Sequence, residues 1–595
     1  MPDQNGRPDV LIVGAGPVGL SAALQLGRAG ASVQLLERRT GPSDQPRAHV
    51  VNARTMELFR SWGIADAIRG DGLAPELAAS FGWVTEIRGE EFATIDYIDA
   101  ETFERYSPET LCSCPQDLVE SRLRAAALNS GQVRIEQGRE VVGFRTIEET
   151  TGTVGEVDVR DTDGATRTLR ARFVIAADGA SSPMRRLAGV AMERSVPLDR
   201  RLNVYFYADL TPYTRRRPHI LWFVHNVATQ GVLIPFDGAR RWVYSVDLAD
   251  GETVGDYDEQ RCLDLVRAAA GDRGLTIDLR ARMSWTLDMG VAARFRAGPL
   301  FLVGDAAHRF PPTGGFGMNS GIQDSHNLAW KLDLVLRGLA EESLLDTYEG
   351  ERRPVAVFNA AQSTLNAEQQ MGADASLNTP ETLALLASPE GAALRAGIAA
   401  NLSRIRDQFH NLGQQFGHVY RGAGLVDDGS PPRDSTISEY RTTARPGARA
   451  PHARLRTADG ARSDVSTIEL VTGGWTVLVA GDPRDWRAGA RHAAQQHGVR
   501  LDVHGIGSTP AGADHADYVD AETPGNWREL YEVAEGGAVL IRPDGHVLAR
   551  WHEQPPNPAA ALSGALTATL TPDRGKPAAE IAAFRQIARP HRIGK

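Results

Sequence analysis

The sequence predicts a multidomain protein of α/β and α+β class, and three observations predict it. The N-terminus reads as strand, glycine-rich turn, helix, strand and acid. Two later apolar strands each end in a Gly/Asp turn, at Asp178-Gly179 and Gly304-Asp305. Between them lies a region rich in aromatic and β-branched residues, and after a proline-rich break a second α/β pattern begins. With 595 residues the chain exceeds one ordinary domain.

The first element is an apolar strand at 9–13. Gly14-Ala15-Gly16-Pro17-Val18-Gly19 then opens a helix, and the strand at 32–36 ends in Glu37. This is a Rossmann-like dinucleotide fingerprint. Gly14 makes the tight turn, Gly16 lets a pyrophosphate approach, and Gly19 lets helix pack on strand. Glu37 follows Gly14 by 23 positions, the spacing of a ribose-binding carboxylate.

Residues 116–127 read as a helix, and 157–160 with 166–173 as a hairpin about Asp161-Thr-Asp-Gly164. The second Gly/Asp strand is Phe173-Val-Ile-Ala-Ala-Asp178-Gly179-Ala-Ser-Ser182-Pro-Met-Arg185. Strands are expected at 202–208, 219–226, 231–235 and 241–248. The third Gly/Asp strand leads into Gly304-Asp305-Ala-Ala-His308-Arg-Phe-Pro311-Pro312-Thr-Gly314-Gly315-Phe-Gly317-Met318-Asn319 and a helix. Bare backbone N–H groups at a helix N-terminus suit a ligand carrying negative charge. Residues 355–420 read as helical. After Ser430-Pro-Pro-Arg433, strands at 475–480, 499–503, 537–541 and 546–551 and a helix at 486–497 form the last domain.

In order and spacing the three motifs resemble those of the class A flavin-dependent aromatic hydroxylases, in the phenol and dichlorophenol hydroxylase branch that includes polyketide hydroxylases. That family carries GxGxxG, then DGxxSxxR, then GD followed by PxxGxGxN; here they stand at Gly14–Gly19, Asp178–Arg185 and Gly304–Asn319. Arg47-Ala-His49 and Tyr348-Glu-Gly-Glu-Arg-Arg-Pro354 resemble two further family signatures. The resemblance implies a FAD-binding domain at 1–78, 110–190 and 290–360, and a β-sheet substrate domain at 79–109 and 191–289. It further implies a helical connecting region at 361–440 and a thioredoxin-like domain at 441–595. No cysteine follows Cys262, so this last domain has no thiol-disulfide role and is expected in structural or homodimer contacts.

The resemblance also implies the site. FAD would be held by Gly14, Ala15, Gly16, Pro17, Val18, Gly19, Glu37, Arg38, Arg47, Gln116, Asp178, Gly304, Asp305, Pro312, Gly315, Gly317, Met318 and Asn319. NAD(P)H would visit transiently, since no second GxGxxG is present, and O2 would be the oxidant. A flavin C4a-hydroperoxide would transfer OH to a small phenolic or aromatic substrate. His49 stands where related phenol hydroxylases carry an aspartate and is the candidate catalytic base. Failing it, the base would have to be sought on the sheet around Tyr205, Tyr207 or Trp222. His308 is expected to be structural.

The residues also admit two alternatives: a Baeyer–Villiger or epoxidising oxygenase on the same scaffold, or a nucleotide-fold protein that binds without catalysis. A disulfide-type flavoprotein reductase is excluded, because no C-x-x-C or C-x-x-x-x-C is present. No metal-site spacing is found. A net charge of −10 argues against nucleic-acid and acidic-membrane partners. No apolar run is long enough to span a bilayer, and the N-terminus lacks a signal pattern; a cytoplasmic enzyme is expected.

Overall fold

The computed structural model describes residues 6–41, 47–150, 152–375, 377, 379–508, 515–521 and 526–572. Its first layer is a six-stranded sheet in the order Arg296–Ala297, Leu300–Leu302, Phe173–Ala176, Val10–Val13, Val33–Glu37, Val133–Gln137. All neighbours run parallel except the first pair. Val10, Leu11, Ile12, Val174, Ile175 and Phe301 are wholly buried. A strand covered on both faces reads as a continuous apolar run, which is why these strands were legible. The crossover helix Pro17–Ala29 packs on the sheet. A Cβ on Gly19 would stand 2.0 Å from the Gly14 carbonyl oxygen, so only glycine allows that approach. The central strand Val10–Val13 pairs with Val33–Glu37 on one side and with Phe173–Ala176 on the other. In such sheets a ligand crevice opens beyond the carboxyl ends of the strands.

The second layer is an eight-stranded sheet in the order His308–Arg309, Asp278–Ala292, Met192–Tyr207, Arg241–Asp247, Gln230–Pro235, Leu221–His225, Ser80–Val84, Glu91–Asp96. One face, with Leu202, Val204, Phe206, Tyr244 and Val246, packs on Val266 and Ala270 of helix Glu259–Ala270. The other face, with Phe81, Trp83 and Phe223, packs on Leu386, Ile405 and Phe409 from the helical region. The short pair His308–Arg309 and Asp278–Ala292 joins this sheet to the Gly304-Asp305 turn.

Two strands extend well beyond the expectation. Met192–Tyr207 and Asp278–Ala292 pair as a long antiparallel ribbon with three register shifts. The latter strand alternates Leu279, Ala281, Met283, Trp285 and Leu287 with polar residues, the period-2 signal of a half-buried strand. Arg139–Glu149 likewise adds a third strand to the expected hairpin, now Gly152–Asp161 with Thr166–Ala171.

The last unit is a seven-stranded mixed sheet in the order Val465–Ser466, Arg454–Thr457, Tyr518–Asp520, Leu501–Gly507, Trp475–Ala480, Ala538–Ile541, Val547–Trp551. Helices Arg484–His497 and Pro558–Leu570 cross closely at Gly489, where a Cβ would lie 2.8 Å from the Ala559 nitrogen. Trp330 meets Trp475 edge to face at 5.7 Å, continuing the N-terminal core into this unit. Among the described residues no helix is long and apolar enough to cross a membrane.

Candidate active site

A cavity of about 1100 Å³ runs from the carboxyl ends of the parallel strands to the inner face of the eight-stranded sheet. That exceeds the usual range for a single drug-sized ligand, so a cofactor and a substrate can share it.

The nucleotide end is built by the first βαβ unit. Gly14 has φ +105°, and a Cβ there would lie 2.3 Å from the Ala177 carbonyl oxygen. Gly16 is the N-cap of helix Pro17–Ala29 and lines the cavity; no atom stands within 4 Å of where its Cβ would be. The first turn of that helix holds no acid and no side chain caps it. Its free N–H groups and positive dipole end therefore suit a pyrophosphate. Glu37 accepts the Ala15 N–H at 2.8 Å and the Arg39 N–H at 2.9 Å. Burial works to raise its carboxyl, but those donors and the Arg39 charge hold it below its usual value. Glu37 stays ionised and fixes the turn while facing the cavity beside Arg38, Arg39 and Gln116. These features fit FAD: a glycine cradle, an uncapped helix start and a ribose-reach carboxylate.

The middle of the cavity is walled by the third motif. Asp305, Pro312, Gly315, Gly317 and Met318 line it, with Arg47 and His49 opposite. Gly315 is the N-cap of helix Phe316–Leu336 at φ +71°, and a Cβ there would press on Val50 at 3.1 Å. Asp305 is open to the cavity, yet its enclosure by the surrounding protein pushes its carboxyl above its ordinary value. His49 is buried, bonds Ser113 Oγ through Nδ1 at 3.0 Å and meets the Phe236 ring edge to face at 5.8 Å. Burial lowers its pKa to about 4, so the imidazole is neutral near pH 7.

Four expected residues do not line the cavity. Ala15, Gly19 and Gly304 shape its walls from behind. Asn319, expected at the cofactor through its backbone, turns its side chain away from the cavity. Its Oδ1 accepts the Asn52 N–H at 3.0 Å, and its Nδ2 donates to the Val50 and Gly315 carbonyls at 2.9 and 2.6 Å. It clamps the His49 segment to the helix start. Asp178 does line the cavity, but its carboxylate is consumed, accepting the Ser182 hydroxyl at 2.6 Å and the Met184 N–H at 2.8 Å. Arg185 of the same motif donates to the Ala306 carbonyl at 3.3 Å, so the second motif braces the third.

On the sheet where another base was to be sought, Trp222 lies in the core on the far face, and neither Tyr205 nor Tyr207 lines the cavity. The Tyr205 hydroxyl accepts from Arg241 Nε at 2.7 Å, and burial raises it to about 12. His308 is buried and stacks on Phe310, as its structural reading expects.

The far end of the cavity has aromatic walls. Phe81, Tyr97 and Phe223 from the sheet region meet Phe409, Asn411 and Gln415 from the helical region across it. Phe409 lies 3.9 Å from Phe81, centroid to centroid. Residues expected only to connect two domains thus roof the cavity. No local pattern marks them, since the Phe81–Phe409 contact joins positions more than 300 apart.

Comparison with known proteins agrees with this geometry. A family model described as a FAD binding domain matches residues 7–363, and one described as the C-terminal part of aromatic-ring hydroxylases matches 443–572. Tetracenomycin A2 monooxygenase-dioxygenase of Streptomyces glaucescens is 33% identical over 595 aligned residues, covering 96% of this chain and 98% of its own. The 2,4-dichlorophenol 6-monooxygenase of Delftia acidovorans is 32% identical, covering 92% and 95%. The crystal structure of the flavin-dependent monooxygenase PieE with FAD and substrate superposes with TM-score 0.86 at 33% identity, covering 96% of this chain and all of that one. The glycine cradle, the Gly304-Asp305 turn and these matches across nearly the whole chain agree: the protein belongs to the FAD-dependent aromatic-ring hydroxylases.

Proposed function

We infer that this protein is a FAD-dependent, NAD(P)H-consuming monooxygenase that hydroxylates a phenolic or polyketide aromatic ring. The observation that carries this reading is the continuity of the cavity, which joins the Glu37 nucleotide end to the aromatic-walled end past Asp305 and His49. Bound here, FAD would supply acceptance of a hydride from NAD(P)H and activation of dioxygen, with one oxygen atom going to the ring and the other to water.

The chain's own residues bind, orient and exclude water. Gly14, Ala15, Gly16, Pro17, Val18 and Gly19 shape the pyrophosphate cradle, and Glu37 with Arg38 serves the adenosine end. Arg47, Gln116 and Asp305 suit the linking polyol and phosphates. The loop carrying Pro312, Gly315, Gly317 and Met318 suits the edge of the ring system, where N–H donors stabilise negative charge. Phe81, Phe223 and Phe409 suit a flat aromatic substrate, with Asn411 and Gln415 offering amides to carbonyl or hydroxyl substituents. His49 is too weak a base at about 4 to take a phenol proton outright. Its role is to accept a hydrogen bond from the phenol and polarise the O–H.

The test is NAD(P)H oxidation screened against phenols, naphthoquinones and polyketide cores, under oxygen carrying a heavy isotope. Stimulated oxidation with label in a ring hydroxyl supports the reading. A purified protein without flavin, or a flavoprotein that no aromatic compound stimulates, overturns it.

A further inference from the structure

The turn that presents Asp305 is bare toward the cavity and gripped from behind. We propose that Asp324, which does not touch the cavity, is a positioning residue that sets the Asp305 carboxylate. This rests on the reading of Asp305 as a cofactor-binding group.

Asp324 lies on helix Phe316–Leu336, and its side chain is wholly buried. Its Oδ2 accepts the Gly304 N–H at 3.1 Å and bonds His308 Nε2 at 2.6 Å. Its Oδ1 accepts Arg352 Nε at 2.7 Å. One carboxylate therefore holds the residue before Asp305, a residue three after it, and a buried cation. Arg352 also donates to the Tyr420 hydroxyl at 3.1 Å and the Ser320 carbonyl at 3.2 Å, so the cation is itself fixed. His308 lies flat against Phe310, with centroids 4.6 Å apart and planes 6° apart, and Phe310 lines the cavity.

Among the described residues the Asp305 carboxyl accepts no hydrogen bond, so its aim depends on the backbone beneath it. That backbone is a single 3-10 turn, with Gly304 at φ +58°. A buried carboxylate–guanidinium pair is weak ground for stability, because desolvation offsets the attraction. What three donors on two oxygens supply is a fixed geometry. The Glu-Arg-Arg-Pro signature then has a purpose at the site although Arg352 does not line the cavity.

The experiment is a double-mutant cycle on FAD affinity. Full-length wild type, Asp305→Ala, Asp324→Asn and the double variant are stripped of FAD and titrated with it. Each single change is expected to weaken binding about tenfold to a hundredfold, the worth of a charge-assisted hydrogen bond. If Asp324 acts through Asp305, the double variant binds no more weakly than the worse single. A double loss equal to the product of the singles overturns the proposal. Wild-type affinity in Asp305→Ala overturns both the proposal and the reading of Asp305. Should Asp324→Asn fail to fold, Arg352→Lys keeps the cation and removes Nε. Its smaller loss of affinity should likewise vanish in the Asp305→Ala background, and a loss that persists there overturns the proposal.

Discussion

Glu351 and Arg542, 191 positions apart, meet in a bidentate ion pair at 2.6 and 2.9 Å with both side chains almost fully buried. Lys331 reaches the same carboxylate at 2.8 Å, and Asp544 closes on Arg542 from the other side. Asp544 in turn accepts from Asn327 and Trp330 of helix Phe316–Leu336. The turn Arg542-Pro-Asp-Gly545 of the C-terminal sheet is thereby plugged into the back of the helix whose N-terminus faces the cavity. Removing one partner of such a pair leaves an uncompensated buried charge, at a cost of about 3–5 kcal/mol. Arg542→Ala is expected to lower the urea midpoint by a corresponding amount and to expose the segment between the two units to protease. Wild-type stability in this variant would show the network to be incidental.

Stability should fall on acidification from about pH 6.5 to 4. Burial lowers His49, His225, His326 and His452 to about 4, and His418 and His546 to about 3. An unfolded histidine titrates near 6.5, so below that pH the unfolded chain takes up protons that the fold refuses. The folded pKa values are depressed, hence stability rises with pH through this window and is fully present above it. Each histidine contributes about 1.4 kcal/mol per pH unit. Carboxylates held low, such as Glu37, add a loss of the same sign only nearer pH 4. Thermal melts from pH 8 to 4.5 read this directly; a melting temperature constant between 6.5 and 5 contradicts it.

Two glycines two positions apart should fail differently. Gly14→Ala places a Cβ 2.3 Å from a backbone oxygen at φ +105°, and should yield little folded protein. Gly16→Val points into open cavity from ordinary backbone, and should yield soluble, thermally stable but colourless protein. Flavin absorbance set against circular dichroism separates the two outcomes. A yellow Gly16→Val protein would remove Gly16 from the cradle.

His49→Ala should retain FAD while lowering coupled turnover about tenfold, the worth of one hydrogen bond. Peroxide released per NAD(P)H oxidised should rise. With His49 at about 4, the acid limb of kcat/KM that it controls should fall near pH 4 rather than near 6.5. A hundredfold loss together with an inflection near neutrality would restore it as a full general base.

The strands at Val10–Val13, Phe173–Ala176 and Leu300–Leu302 were legible because burial on both faces writes a continuous apolar run into the chain. The turns at Gly14 and Gly304 were legible because their positive φ admits few residues other than glycine. Asn319 shows a limit of the same kind: a motif names a position but not the direction of its side chain, and here the amide turns to Asn52 and Val50. The roof formed by Phe409, Asn411 and Gln415, and the ion pairs that join Asp324 to Arg352 and Glu351 to Arg542, had no local signature. Local sequence determines turns and strands because sterics and burial act on neighbours in the chain. Which distant side chains share a cavity or a buried charge was decided only by tertiary packing, where desolvation forces each buried ion to find its partner wherever the fold brings one within reach.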